Sequence, residues 1–283
     1  MKMTNKFNLP NRIIRQVGEI HKPKEKRISV TDLISCPRER TLLLKEWDKV
    51  ILDYSDFLST IIGLSVHERQ NKLASEDDES EVKYIDKFNG IEVVGRADNY
   101  DTVEKCIRET KTKAVGCLKF ESFLKDVERQ LNVYAYQRRV RGYEVEKLEL
   151  DVYYRDWKDW EADRANLVRY AVMKEGRRTA LKVFDTEQEA KDWMALHCKP
   201  NEQLRLEIRE PAKDYPQLSV DFSIPIPLWS LDEEKQFILD QIELFALDSL
   251  YCDEECTWNG KKCDKYCKAR TVCDRSKCFL GDK

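Results

Sequence analysis

Asp98, Glu109 and Lys111 are the residues of this chain whose types and spacing could do chemistry. Two carboxylates that converge make a site for Mg²⁺ or Mn²⁺, because these hard cations take oxygen ligands and keep waters that can be activated or exchanged for phosphate oxygens. A lysine beside them would hold an attacking water or a developing negative charge. The chain is 36% charged, so the same three residues also describe a solvated sheet face.

The elements that must position them can be read from the pattern. Ile91 to Lys113 reads as a β-hairpin, with Asp98 on one strand, a tight connection around Asp101 to Glu104, and Glu109 and Lys111 on one face of the partner strand. A preceding pair of strands, Lys83 to Phe88 and Ile91 to Asp98, is joined by Asn89-Gly90, a turn whose two positions favour positive φ. The acidic run Ser75 to Glu81 reads as a loop. Phe57, Ile61, Leu64 and Leu73 recur at helical spacing between Asp53 and Ala74, which places His67 on a helix. Glu121 to Val140 is a second helix with a buried stripe of Phe123, Val127, Leu131 and Tyr134, and Gln130 lies one turn before Tyr134. Arg138, Arg139 and Arg141 at its end suit phosphates or the negative helix terminus. Lys147 to Tyr154 alternates as another strand of the same sheet.

Six of the ten cysteines, Cys252, Cys256, Cys263, Cys267, Cys273 and Cys278, crowd into the last 32 residues with few apolar residues to build a core. Disulfides suit secretion, and the start of the chain lacks the apolar core of a secretory signal. Zinc favours closely spaced pairs such as Cys252/Cys256 and Cys263/Cys267. An iron-sulfur cluster is the third explanation. Cys106, Cys117 and Cys198 lack partners at ligand spacing and read as ordinary thiols.

Gly95-Arg96-Ala97-Asp98, then Glu109-Thr110-Lys111, then Gln130 to Tyr134 resembles the GxxD, ExK and QxxxY series of RecB-type nucleases in the PD-(D/E)XK superfamily. His67 after Gly63, Cys36 near the start and the terminal cysteines fit the same order, and are similar to the four-cysteine iron-sulfur exonucleases, including CRISPR-associated exonucleases and the AddB nuclease domain. The resemblance covers roughly residues 28 to 155 and 230 to 275. It implies an α/β fold of restriction-endonuclease type, a mixed sheet flanked by helices, and cleavage of DNA, with single-stranded ends as substrate. His67, Asp98, Glu109 and the Thr110 carbonyl would hold the metal ion, Lys111 would assist catalysis, and Gln130 and Tyr134 would lie beside the DNA. Cys36, Cys263, Cys267 and Cys273 would hold a [4Fe-4S] cluster. The C-x₃-C step from Cys263 to Cys267 departs from the C-x₂-C of many relatives, which leaves Cys256 or Cys278 as substitutes and Zn²⁺ as the alternative metal. The resemblance admits a helicase, recombinase or integrase partner. The rival readings are a non-cleaving, cluster-bearing DNA-binding or assembly scaffold, and a structure-specific endonuclease with structural zinc.

Length and composition bound these readings. The 283 residues, 41% hydrophobic, suffice for one domain with an insertion, or for two small domains. A net charge of −3 gives no overall attraction to nucleic acid, so DNA binding needs a local surface. No apolar run approaches a membrane span, and the chain reads as a cytoplasmic protein of a bacterial, archaeal or viral system. The expected order is a basic, loosely held arm at 1–27, a nuclease core at 28–155, an insertion at 156–216, a return strand and helix at 217–250, and the cysteine-rich segment at 251–283.

Overall fold

Secondary structure in this computed structural model is described for residues 1–165, 167–199, 203–209, 215–246, 252 and 260–274. The chain opens with β1 (Lys2–Thr4), α1 (Asn11–Val17), β2 (Arg27–Ser29), α2 (Val30–Leu33), α3 (Pro37–Lys45) and β3 (Ile51–Asp53). The first residues are not a loose arm. β1 runs parallel to β3, and the Asp53 carboxylate accepts from Thr4 Oγ1 at 2.7 Å and from the Lys6 backbone at 2.9 Å. Met1 and Met3 of this segment also pack on an apolar cluster that includes Val50 and Leu52, so strand pairing and side-chain contact hold it together. Ser29 caps α2 by accepting from the Asp32 backbone at 3.1 Å, and Cys36 precedes Pro37, the first residue of α3.

Next come α4 (Leu58–Leu73), β4 (Asp78–Ser80), β5 (Lys83–Phe88), β6 (Ile91–Arg96), β7 (Asn99–Asp101) and β8 (Cys106–Lys113). Asn89 and Gly90 turn β5 into β6 with φ of 47° and 85°, the left-handed values a tight hairpin requires. β6 lies between β2 and β5 in a three-stranded sheet, whereas β7 and β8 pair antiparallel in a different sheet. The expected single hairpin is therefore two: the chain changes sheet at Ala97-Asp98, and Asp98 lies in the link rather than on a strand. α5 (Glu121–Arg139) follows, with Val127, Leu131 and Tyr134 buried, and then β9 (Lys147–Tyr154).

The chain divides into two compact units. The first takes Met1–Thr112, Phe120–Tyr153 and the chain from Ser223 on; the second takes Lys113–Lys119 and Tyr154–Phe222. The second unit contains α6 (Asp159–Ala165), β10 (Arg169–Lys174), β11 (Lys182–Phe184), α7 (Glu187–His197), β12 (Leu204–Arg209) and α8 (Leu218–Asp221), with β10 the central strand of an antiparallel sheet. Thr186 and Glu189 form the reciprocal cap of α7. Back in the first unit, β13 (Ser223–Ile226) completes a five-stranded sheet in the order β13-β9-β8-β7-β4, and α9 (Leu231–Ala246) packs on α5. α10 (Lys261–Lys265) lies in the cysteine-rich segment; Cys256 and Cys278 fall outside the described residues. The architecture is mixed α/β, with several sheets flanked by helices. Among the described residues no helix is long and apolar enough to cross a membrane.

Candidate metal centre

Three elements of the first unit converge on one spot. α4 lies against β8 closely enough that a side chain on Gly63 would meet Thr112 Oγ1 at 3.6 Å, and Gln70 of the same helix reaches the Tyr153 hydroxyl at 3.5 Å. This brings His67 Nδ1 to 3.2 Å from Asp98 Oδ1. The other Asp98 oxygen, Oδ2, accepts from the Thr110 backbone at 2.8 Å, so β8 fixes the carboxylate that the link presents. Gly95 lets β6 approach α5: a Cβ there would lie 3.1 Å from Tyr134 Cδ1 and closer still to Gln137.

Glu109 is the buried member of the set, 3% exposed. Its Oε1 accepts from Lys111 Nζ and, at 2.9 Å, from Gln130 Nε2, which also donates to the Tyr134 hydroxyl at 2.9 Å. Its Oε2 is buried and has no hydrogen-bond partner. Burial pushes the Glu109 pKa up to about 7; Lys111 opposes the rise and the Asp98 charge adds to it. Burial pulls Lys111 down, yet the attraction of Glu109 more than offsets this, so the ammonium stays charged. The hydrogen bond to Asp98 raises the His67 pKa against the effect of burial. An orphaned carboxylate oxygen in a buried, acid-rich pocket, with an imidazole nearby, is a donor set that fits a divalent cation.

The expected residues fall into two bonded groups, His67 with Asp98 and the Thr110 N–H in one, and Glu109 with Lys111, Gln130 and Tyr134 in the other. The compact set, with ligand atoms within 4.8 Å of one another, is His67, Glu81 and Asp98; Glu109 lies outside it. Glu81 is the residue the sequence did not single out. It follows β4 with φ of 57°, donates its backbone N–H to the Asp98 carbonyl at 3.2 Å, and pairs with Arg96 Nε at 2.8 Å. In the sequence it is one more acidic residue in the run Ser75 to Glu81. A second compact set, Glu104, Cys106 and Glu149, already surrounds a cation, because Arg108 bonds to both glutamates and to Asp101.

The arginines at and just after the end of α5 each pair with an acidic residue, and Arg138 is turned inward. Arg138 is buried, bonds Glu79 at 2.8 Å, and lies 3.8 Å from the Tyr100 ring centroid. Arg139 bonds Glu234 at 2.8 Å and Arg141 bonds Asp86 at 3.0 Å. All three therefore serve internal ion pairs, Arg138 from a buried position and Arg139 and Arg141 from partly exposed ones. A cleft of about 590 Å³ does open beside Asp98 and Thr110, walled by Ile62, Val66 and Gln70 of α4 and by Asn99 and Tyr153.

Cys36, Cys263 and Cys267 lie near one another. Cys267 and Ala269 are buried in an apolar cluster with Leu43, Val50 and Leu52, against which Met1 and Met3 also pack. Arg38 donates to the Asp274 carbonyl at 2.7 Å, and Glu39 accepts from the Lys268 backbone at 2.8 Å. These contacts set Cys36 beside the tail. Burial drives the Cys267 thiol far up, and Glu39, Cys36 and Cys263 are near enough to add to the rise. Cys36, Cys263 and Cys267 are thus near neighbours, although they are not among the groups of described residues whose ligand atoms all lie within 4.8 Å of one another. No disulfide joins any two of the described cysteines.

No family model matches the chain, and no curated protein does. Among solved structures, one described as "Crystal structure of SSO0001" is similar over 93% of this chain and 94% of its own, at 17% identity with a TM-score of 0.48. The functional reading therefore rests on the residues of this chain.

Proposed function

We propose that the protein is a divalent-metal-dependent deoxyribonuclease that degrades single-stranded DNA from its ends, with a [4Fe-4S] cluster tying the two ends of the chain to the core. The observation that carries the reading is the Glu109 carboxylate, buried, fixed through one oxygen by Lys111 and Gln130, left with the other oxygen unpartnered, and near enough to feel the charges of Asp98 and His67. A solvated sheet face would spend none of its stability on such an arrangement.

Mg²⁺ or Mn²⁺ bound here would polarise the scissile phosphate and lower the pKa of an attacking water. The chain supplies the rest. Gln130 occupies Glu109 Oε1 and is itself oriented by Tyr134, which leaves Oε2 for the cation. Lys111, kept protonated by Glu109, stabilises negative charge developing on the attacked phosphate. Asp98 is fixed by the Thr110 backbone before any ligand arrives, so little ordering remains to be done on binding. The cleft of about 590 Å³ reaches this centre at Asp98 and Thr110. Cys36, Cys263, Cys267 and Cys273 would hold the cluster, which acts as a staple whose binding energy becomes folding energy. Such thiolates suit a reducing, intracellular compartment.

The test uses protein purified without oxygen, incubated with end-labelled single-stranded DNA and Mn²⁺ or Mg²⁺. Linear DNA should disappear, a closed single-stranded circle should persist, and Glu109→Ala should abolish the loss while leaving DNA binding in place. Equal activity in Glu109→Ala would sink the assignment of the metal centre. A brown protein with broad visible absorbance that binds DNA and cuts nothing would favour a scaffold.

A further inference from the structure

We propose that β12 is a dimerisation edge, which pairs antiparallel with β12 of a second copy of the chain in a register centred on Leu206. In the second unit β10 lies between β11 and β12, so β12 bonds on one side and meets no described strand on the other. One bond just beyond the ladder sets which way its backbone groups turn: the Glu175 N–H donates to the Gln203 carbonyl, and these two residues continue the register of Lys174 with Leu204. Bonded and non-bonded residues alternate from there. Arg205, Glu207 and Arg209 therefore turn their N–H and C=O groups toward β10, and Leu204, Leu206 and Ile208 turn theirs outward. The other sheet edges among the described strands are closed. β1, β2, β3, β4 and β11 have three residues each, β13 contains Pro225, and Arg141 donates to the Ile85 carbonyl of β5. Short strands, prolines and covered carbonyls keep an edge from pairing with another chain. β12 has six residues and no proline, and its Ile208 is 59% exposed.

Charge selects the occupant. Residues directly opposite in a sheet share a face, so the two-fold axis of a self-paired strand must pass through a residue. An axis at Leu206 sets Leu204 opposite Ile208 and Arg205 opposite Glu207, on both sides of the axis. It also brings the outward-turned groups together, Leu206 with its counterpart and Leu204 with Ile208. An axis one residue earlier sets Arg205 against Arg205, and one residue later sets Glu207 against Glu207 and Arg205 against Arg209. Charges on an exposed strand ordinarily discourage pairing; here they reject both neighbouring registers and favour the central one. The apolar residues of both copies then line the face that α7 covers, since Ile208 is opposite Tyr170, Tyr170 is opposite Phe184, and the Phe184 ring lies 6.0 Å from that of Trp193.

The test is sedimentation of the full-length protein in reducing buffer, so that the exposed Cys198 cannot cross-link copies. One strand pair is a small interface, and wild type should dimerise with a Kd in roughly the micromolar range. Arg205→Glu and Glu207→Arg each set like charges opposite one another across the axis, and each should weaken the dimer by roughly ten- to hundredfold. The two variants mixed should dimerise again, because position 205 of each then faces an opposite charge at position 207 of the other. A misfolded chain cannot give that rescue. Wild type that stays monomeric at high micromolar concentration overturns self-pairing and leaves the edge to a strand of another protein. A dimer indifferent to both substitutions is held by a different surface, and a mixture that stays monomeric removes the register; either result overturns the proposal.

Discussion

Gly95 and Gln137 share a gap with no room for a methyl group: a Cβ on Gly95 would lie 1.7 Å from Gln137 Oε1 and 2.8 Å from its Cδ. Gln137 is fully buried and donates to the Val93 carbonyl at 3.2 Å, so it cannot swing aside cheaply. Gly95→Ala should cost about 1–3 kcal/mol by overpacking, read as a lower urea midpoint, and should weaken Mn²⁺ binding because Asp98 is three residues on. Gln137→Ala in the same chain should recover part of the loss. Additive costs would mean that the two positions do not meet.

Lys111 does two things that one substitution separates. Lys111→Ala should lower cleavage by roughly 10²- to 10⁴-fold, and should also let the Glu109 pKa climb further, since the lysine is what opposes burial. Mn²⁺ binding in the variant should therefore be weak at neutral pH and recover at higher pH. Unchanged binding at pH 7 would show that the pair does not control Glu109.

The unoccupied carboxyl of Glu109 gives the wild type a pH signature of its own. With its pKa at about 7, Glu109 carries a proton below that value, and the ion must displace it. Mn²⁺ affinity should rise with pH across the neutral range, because Glu109 and the His67 imidazolium, both with raised pKa values, must each give up a proton to the ion. A titration series with Glu109→Gln alongside checks this, because the variant should lose the Glu109 share of the slope.

Glu234 and Arg139 form a second buried pair, away from the centre, at 2.8 Å. Glu234 is 0% exposed, its Oε2 has no partner, and burial raises its pKa from 4.5 to about 7. Below about 4.5 folded and unfolded chains are both protonated here. Between 4.5 and 7 only the folded chain keeps the proton, so this group's contribution to stability declines as pH rises through that window and is level above it. Arg139→Ala should destabilise by about 3–5 kcal/mol by stranding the carboxylate, and Glu234→Gln should restore much of that. Thermal unfolding at pH 5 and pH 8 measures both effects.

Cys36→Ala should release the tail. The expected result is loss of bound metal, a lower melting temperature and faster proteolysis after residue 246, while Cys198→Ala, on an exposed thiol, changes none of these. Full metal content in Cys36→Ala would exclude Cys36 from the ligand set.

Much of the centre was legible because its constraints are local. Asn89-Gly90 demands a tight turn, the α5 stripe places Gln130 and Tyr134 together, and the two-residue step from Glu109 to Lys111 puts both on one strand face. What escaped depends on contacts between distant segments. β10 was missed because Ala171, Val172 and Met173 are all buried, so no alternation marks it as a strand. The inward turn of Arg138 is set by Glu79 and a ring of tyrosines from other strands, which no spacing within α5 reveals. Glu81 gains its place from a backbone bond to Asp98 and from the change of sheet at Ala97, neither of which has a residue pattern.

The docking of the tail also sets an order of assembly. Arg38 waits for the carbonyl of Asp274, 236 residues later, and Leu43, Val50 and Leu52 wait for Cys267 and Ala269 to cover them. A ribosome delivers the first partners long before the last, so the emerging chain carries an uncovered apolar face through nearly the whole of its synthesis. Correct folding then turns on whether the tail or another hydrophobic surface reaches that face first.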